Sequence, residues 1–438
     1  MQLSEDQSRA LNKINQFIQS DKQALVLSGA AGCGKSTIIG KFVNETKRPI
    51  KLSATTHKAV HVAESFAKNV EASTVHSLFG LAPVKTYNQH KRQLEEKYNP
   101  KYDENDIVVV DEASMVDEYM LNVLLRHAAD ANLKLLFVGD SYQLPPVVEE
   151  SSVEHPPVFQ LLNGVHLTQV HRQAEGSPIV SLATRIRQAI DGAGFPIIRE
   201  SDAIKSYSYN APTDRKILNG RIAHLLKQNP HDANYVKLLA WRNVEVARLN
   251  AAARRAVLGG DALKYDFLPG EQLVANAAII FHGIEVPIVK TDEIVTVISA
   301  RKSKRGKSIT GYDLSIDTES GAIDVFVADE QRQVKSLLMS LENKAKAGFE
   351  AHRRNPRAVS IDNVRALWER YYRAEETFAD LRAPYASTIH KSQGSTYEHA
   401  VIFQNDIRGA ARRVSDKFYA RLMYVAATRA RSSLTLAV

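Results

Sequence analysis

The sequence predicts an α/β protein with two mainly parallel sheets and a smaller mixed insertion. Three observations lead there. Between Gln23 and Asp140 one rhythm recurs: a short apolar strand, a turn of small or polar residues, then a helical segment. The strands in it, Ala24–Leu27, Ile50–Leu52, Ile107–Val110 and Leu135–Val138, are near-continuous apolar runs, as a sheet covered on both faces requires. A second set, Val165–Leu167, Val236–Ala240, Ala400–Phe403 and Leu434–Val438, is separated by helical stretches and one long excursion, and reads as a second sheet.

Taken in order, the chain opens with an amphipathic helix, since Ala10, Leu11, Ile14, Phe17 and Ile18 fall on one face. The first α/β unit is interrupted at Leu81–Glu104 by a polar, basic and aromatic-containing segment. The excursion begins near Gly270, where period two takes over in DEIVTVIS, YDLSID and IDVFVA, with turns at Arg305-Gly306 and Ser320-Gly321; these are antiparallel hairpins of a small barrel-like insert. Two helices follow, one carrying Val334, Leu337, Leu338 and Leu341, the other Ile361, Val364, Leu367, Trp368, Tyr371 and Tyr372 at three- and four-residue steps. Trp368, Tyr371 and Tyr372 read as core of the insert in preference to base-stacking groups.

Composition narrows the function. The 438 residues suffice for about three structural units. No run of about 18 apolar residues offers a membrane span, and the start MQLSEDQSRA lacks the basic flank and apolar core of a secretory signal, so a cytoplasmic location is expected. A single cysteine, Cys33, excludes an internal disulfide and Cys-pair zinc sites, which leaves metal chemistry to carboxylates. Lys and Arg outnumber Asp and Glu by 57 to 49, a mild bias toward polyanions. No leftover acidic cluster suggests a nuclease.

Three motifs carry chemistry. GAAGCGKST, Gly29 to Thr37, sits between a strand and a helix, the context of a P-loop. Gly29, Gly32 and Gly34 let backbone N–H groups approach phosphates, Lys35 reaches the terminal phosphates, and Ser36 can ligate Mg²⁺. IVVVDEAS ends a strand in Asp111, a carboxylate for Mg²⁺, and Glu112, which orients and deprotonates the attacking water. LLFVGDSYQLPPV ends another strand near Gln143, a sensor for the γ-phosphate, with Pro145 and Pro146 fixing an extended exit. ATP and Mg²⁺ are the cofactors this set implies.

The ordered series GAAGCGKST, ATTHKAV, STVHSLFG, VVVDEAS, GDSYQLPPV, LTQVHRQ, AWRNVEVARLN, STIHKSQGSTYE and YVAATRA resembles the motif series of superfamily 1 helicases, most of all the 5′ to 3′ branch, superfamily 1B, with its RecD-like and phage Dda-like members. The resemblance runs from Gln7 to the C-terminus. It implies two RecA-like P-loop NTPase domains: 1A over residues 1–165, carrying a pin insertion at about 81–104, and 2A over 166–269 and 383–438. An SH3-like barrel plus helices, domain 2B, would occupy 270–382. By position, Gln7 matches the adenine-reading glutamine, and Arg172 and Arg429 match two arginines that reach the γ-phosphate. Gly394 matches a backbone approach to phosphate and Glu398 a ribose contact. Thr55, Thr56, His57 and Lys58, then Ser73, Thr74 and His76, then Thr388, His390 and Lys391 match a DNA-binding surface that touches phosphates without reading bases. Pro83, Tyr87 and Tyr98 would supply the pin's wedge, against the alternative of a surface loop. Arg301, Lys302, Lys304, Arg305 and Lys307 form a basic hairpin read as a solvated tip.

The implied activity is ATP-dependent 5′ to 3′ translocation on single-stranded DNA with duplex unwinding, in a bacterial or phage-infected cell. Single-stranded and forked DNA are the expected partners, together with single-strand-binding or replication and recombination proteins, and the chain is expected to act as a monomer. An RNA helicase, or an ATP-switched binding module that does not unwind, remains open at this point.

Overall fold

A computed structural model describes residues 3–67, 70–84, 93–146, 155–161, 163–168, 177–281, 287–306 and 309–438. The chain divides into two compact units, residues 1–81, 98–253 and 385–438 in one, 82–97 and 254–384 in the other.

The first unit holds two parallel sheets. In the first, the strand order is Ala72–Thr74, Ile50–Ala54, Ile107–Asp111, Lys134–Gly139, Ala24–Gly29, Gly164–Leu167. Its central strands are buried along nearly their whole length, which is why they read as unbroken apolar runs. The opening helix Glu5–Gln19 buries Ala10, Leu11 and Ile14 in this sheet's core, alongside Leu27, Ile38, Phe42 and Ile107, and Phe17 is buried as well. Each large side chain among them contributes roughly 1.5–3 kcal/mol of transfer free energy. A Ser4/Gln7 capping box starts that helix by satisfying two otherwise orphaned N–H groups.

The second sheet runs Ala386–Thr388, Val236–Ala240, Tyr397–Phe403, Ala430–Ala437, Ile204–Tyr207, again all parallel. One assignment is corrected here. The strand at 165–167 belongs to the first sheet, not the second: Gly164–Leu167 pairs with Val26–Gly29. A domain boundary at 165 therefore cuts a strand, and the first sheet ends at Leu167. Composition marks a segment as a strand, but its neighbour is set by long-range register. The strands Ala72–Thr74, Ile204–Tyr207 and Ala386–Thr388 are additional to those read from sequence.

The second unit carries a five-stranded sheet ordered Gly321–Ala328, Ile309–Thr318, Ile294–Arg305, Gln272–Ala275, Leu381–Arg382, with antiparallel pairings. Phe378 bridges Phe326 and the Ala379 N–H donates to the Phe326 carbonyl, so the sheet curls back on its first strand. The helices Gln331–Arg354 and Ile361–Thr377 follow. Trp368 and Tyr372 are buried with Ala345 and Val364, as core residues.

The interruption of the first α/β unit is shorter than 81–104. A two-stranded sheet, Leu81–Val84 with Gln93–Glu96, accounts for it. From Tyr98 onward the chain is tied to the first unit: the Tyr98 N–H donates to Gly80, the Lys101 N–H donates to Leu78, and Tyr102 packs on Phe79 at 5.2 Å. Tyr98 is exposed; Tyr87 and the Pro83 side chain lie outside the described residues.

Candidate active site

Gly29 closes its strand, and the loop turns through Gly32 and Gly34, with φ of +87° and +80°. At Gly34 a Cβ would lie 2.2 Å from Gln7 Nε2. The left-handed backbone favours glycine there, and any Cβ would push the Gln7 amide out of its place. Gly34 is also the N-cap of the helix Lys35–Glu45, so unpaired N–H groups and the positive dipole end face the loop, the usual anion site. Lys35 Nζ donates to the carbonyls of Gly29 and Ala30 at 2.7 and 3.1 Å, and Gln7 Nε2 donates to the Cys33 carbonyl at 3.3 Å. Gln7 is thus at once a helix-capping residue and a neighbour of the loop. Cys33 is buried, and burial pushes its thiol up, as suits an inert filler.

Asp111 ends its strand, and Glu112 adopts a left-handed conformation, φ +51°, at the start of the one-turn helix Ala113–Met115. For a non-glycine residue that geometry costs roughly 1–2 kcal/mol. Glu112 Oε2 is covered and has no hydrogen-bond partner among the described residues. Burial, then the neighbouring Asp111, push the Glu112 carboxyl up to about 7, against the opposing pull of Arg429 and Lys35. Burial also raises Asp111, offset by the Glu112 N–H, which donates to Asp111 Oδ1 at 2.8 Å, and by Lys35. Burial therefore disfavours the charged form of both carboxyls.

These groups line one cavity of about 750 Å³ together with Ser4, Gln7, Gly32, Gly34, Ser36, Thr37 and Gln143 from the first sheet, and Gly394, Thr396 and Arg429 from the second. Gly394, φ +71°, brings the second sheet to the acid pair: a Cβ there would lie 3.7 Å from Glu112 Oε1. Arg429 is buried, donating from Nε to Val425 and from Nη1 to Ser395 at 3.0 and 2.9 Å. Glu398 is not among the lining residues; it accepts from the Ser432 hydroxyl and sits 3.9 Å from Arg431. Arg172 lies outside the described residues.

Sequence reasoning missed the side chains that join the two halves of this cavity. Tyr424 donates to Asp140 Oδ2 at 2.6 Å and accepts from the P-loop Ala31 N–H at 3.3 Å. Burial and Asp140 hold its phenol well above the usual range, so it stays a donor. Arg421 Nη1 donates to the carbonyls of Ser141 and Gln143, both at 2.7 Å. Gln393 Nε2 donates to the Leu144 carbonyl at 3.3 Å, and Leu144 packs into the second sheet's core. The available signal was an arginine and a tyrosine three apart in the otherwise apolar run FYARLMYVAA, since buried arginines are rare.

The residues matched to strand binding cluster at the C-terminal ends of parallel strands. Thr55 to Lys58 follow Ile50–Ala54, Ser73 and Thr74 end Ala72–Thr74, and Thr388 ends Ala386–Thr388 just before His390 and Lys391. Thr56 and Thr74 cap helices, accepting from the N–H groups of Ala59 and Ser77. Burial lowers the pKa of both His76 and His390, which favours their neutral, hydrogen-bonding form. Among the described residues no cluster of three or more His, Cys, Asp or Glu could hold a metal by itself.

The model of the AAA domain matches residues 2–208, and that of the UvrD-like helicase C-terminal domain matches residues 384–437. The ATP-dependent DNA helicase dda of Enterobacteria phage T4 is 25% identical, over 98% of each chain. Over its whole length the chain is similar to an ATP-dependent DNA helicase, and its motif series resembles that of superfamily 1B. Another relative of this helicase, the ATP-dependent DNA helicase PIF1 of Candida albicans, is 30% identical over 34% of this chain and 18% of its own. In fold, it resembles a crystallised Pif1 helicase from Bacteroides in complex with ADP-AlF3 and ssDNA, at 18% identity and a TM-score of 0.50, over 100% of this chain and 93% of that one. Among the described residues of this helicase, no helix is long and apolar enough to cross a membrane.

Proposed function

We propose that the chain is an ATP- and Mg²⁺-dependent DNA helicase that moves 5′ to 3′ on single-stranded DNA and unwinds duplex. The observation that supports this most is the shared cavity: the P-loop and acid pair from one sheet, Gly394 and Arg429 from the other. A nucleotide held by both sheets draws them together, and its loss releases them. If each sheet's strand-end surface grips one DNA strand differently in the two states, hydrolysis becomes stepping.

In this reading Gly29, Gly32, Gly34, Lys35 and Thr37 hold the phosphates and Gln7 the base. Glu112, whose Oε2 lacks a partner among the described residues, takes the proton of the attacking water; Gln143 reports the γ-phosphate. Arg429, and Arg172 by its motif, bring fixed positive charge to the transferring group. Ser36 and Asp111 fit Mg²⁺, a hard cation usually bound by one or two protein oxygens, water and the nucleotide's own phosphates. When bound it offsets the phosphate charge. Residues 1–168 would form the first motor domain, 177–269 and 383–438 the second, and 270–382 an SH3-like barrel with helices. The hairpin 82–97 would act as the pin that parts the fork. Forked DNA is the substrate and a monomer the working form.

The test is ATP hydrolysis with single-stranded DNA, with RNA of the same sequence, and with neither. Stimulation by DNA is expected, lost in Lys35→Ala while strand binding persists, because the phosphates lose a point charge but the strand's contacts lie elsewhere. Hydrolysis retained in Lys35→Ala, or stimulation by RNA alone, would contradict the proposal.

A further inference from the structure

Charge in this chain is unevenly placed. Residues 344–373 contain eight Lys and Arg against three Asp and Glu, giving +5 of the chain's net +8. They form the distal part of the helical hairpin Gln331–Arg354 and Ile361–Thr377. The basic stretch prominent in the sequence, by contrast, is partly offset from within: Arg301 and Arg305 share Asp313, Lys302 pairs with Asp329, and Lys307 lies outside the described residues. At the helical tip Arg353, Arg354 and Arg357 are all exposed, and none has an ion-pair partner among the described residues.

The tip is built rigidly. Trp368, Tyr372, Val364 and Ala345 form a small core of its own. The helices touch closely at Gly348, where a Cβ would lie 2.6 Å from Leu367 Cδ1. His352 Nδ1 lies 2.7 Å from the Val359 carbonyl, the Asn355 carbonyl accepts from Ala358 and Val359, and Ser360 caps the second helix. A basic last turn complements a helix dipole, which accounts for Arg353 and Arg354 but not for Arg357, beyond the helix end. The aromatic side chains face inward, with Trp368 and Tyr372 only 1% and 3% exposed, so the tip offers charge without a stacking platform. Sequence-independent single-strand sites commonly add stacking platforms to charge, whereas a duplex keeps its base faces stacked inside and offers its phosphates at high linear density.

We propose that this tip, through Arg353, Arg354 and Arg357, contacts the phosphate backbone of duplex DNA, independently of base sequence. The inference rests on the helicase reading and extends it to a duplex-binding surface separate from the single-strand site. Its test uses the full chain and a blunt duplex, a 5′-tailed fork and the tail alone, with affinity measured by anisotropy across a salt series. The triple variant Arg353→Gln, Arg354→Gln and Arg357→Gln avoids placing acids at a helix C-terminus. Its blunt-duplex binding is expected to weaken and its log–log salt slope to fall by about 2.7, about 0.9 per phosphate contact. Tail binding and strand-stimulated hydrolysis should be unchanged. The corresponding triple Lys variant should restore duplex binding, because a point charge suffices for phosphate. Arg357→Gln alone, in the loop, should lower the slope by about 0.9, and this single change still tests the contact if the triple variant misfolds. An unchanged duplex slope, or equal loss on the tail, would overturn the proposal. Failure of the helicase reading is distinguishable: the unmodified chain would then show no DNA-stimulated hydrolysis.

Discussion

Replacing Glu112 by glutamine separates the two consequences of an unpaired carboxylate in the cavity. In the folded chain this group titrates at about 7 instead of 4.5, chiefly because burial and Asp111 disfavour its charge. A folded pKa above the unfolded one means that the folded state binds the proton more tightly. Stability from this source is complete below 4.5 and is lost as pH rises through 7. The gap is worth about 3 kcal/mol at its limit. Because the residue is only half-buried, solvent screening leaves about 1–2 kcal/mol. Glutamine carries no charge at any of these pH values, so Glu112→Gln should stabilise the nucleotide-free protein at pH 8 and be nearly neutral at pH 4.5. The expected rise in Tm at pH 8 is roughly 1–2 °C. Turnover should fall by about 10² to 10⁴, the usual contribution of a general base. Thermal denaturation of both proteins at the two pH values, with steady-state hydrolysis, makes the check. A Tm gain equal at both pH values, or none at pH 8, would refute the charge argument; retained turnover would move the base elsewhere.

Arg429→Ala should lower saturated turnover by about 10³ while ATP affinity falls much less; a loss confined to affinity would make Arg429 a ground-state ligand. Tyr424→Phe removes the hydroxyl between Asp140 and the P-loop, and should cost about 1.5–3 kcal/mol in chemical denaturation because a buried carboxylate loses a donor. Unchanged stability would show that Asp140 is satisfied without it. Replacing residues 82–97 by a short Gly/Ser linker should collapse unwinding but leave strand-stimulated hydrolysis within about threefold, under about 0.7 kcal/mol in barrier. Tyr98 and Tyr102 stay in place, because they belong to the first unit. Undiminished unwinding would remove the hairpin from strand separation.

What could be read from the sequence was local. The P-loop and the acid pair are set by a strand end and the residues directly after it, so their positions in the cavity follow from a few neighbours. The helices of the second unit were legible for the same reason, since three- and four-residue spacing marks the buried face that holds Trp368 and Tyr372. Non-local facts were not. The strand Gly164–Leu167 has the composition of either sheet, and only its register with Val26–Gly29 decides. The end of the hairpin insertion at residue 97 is fixed by backbone bonds from Tyr98 and Lys101 to Gly80 and Leu78, which no spacing encodes. Arg421 and Tyr424 read as a polar pair in a buried helix, but their partners on the other sheet come from tertiary folding. His76 and His390 carry no mark of their burial in sequence, and so the lowering of their pKa could not be inferred. The tip arginines, which have no ion-pair partner among the described residues, were not singled out beside the more compact basic hairpin, because its pairing with Asp313 and Asp329 is visible only across strands.

Directional strand separation is tested most directly by unwinding two duplexes that differ only in whether a single-stranded tail extends from the 5′ or the 3′ end, each with ATP and Mg²⁺ and with Lys35→Ala as the hydrolysis control. Release of the strand from the 5′-tailed duplex alone, dependent on Lys35, is the predicted result. Release from the 3′-tailed duplex, or from neither while DNA still stimulates hydrolysis, would contradict a 5′ to 3′ helicase.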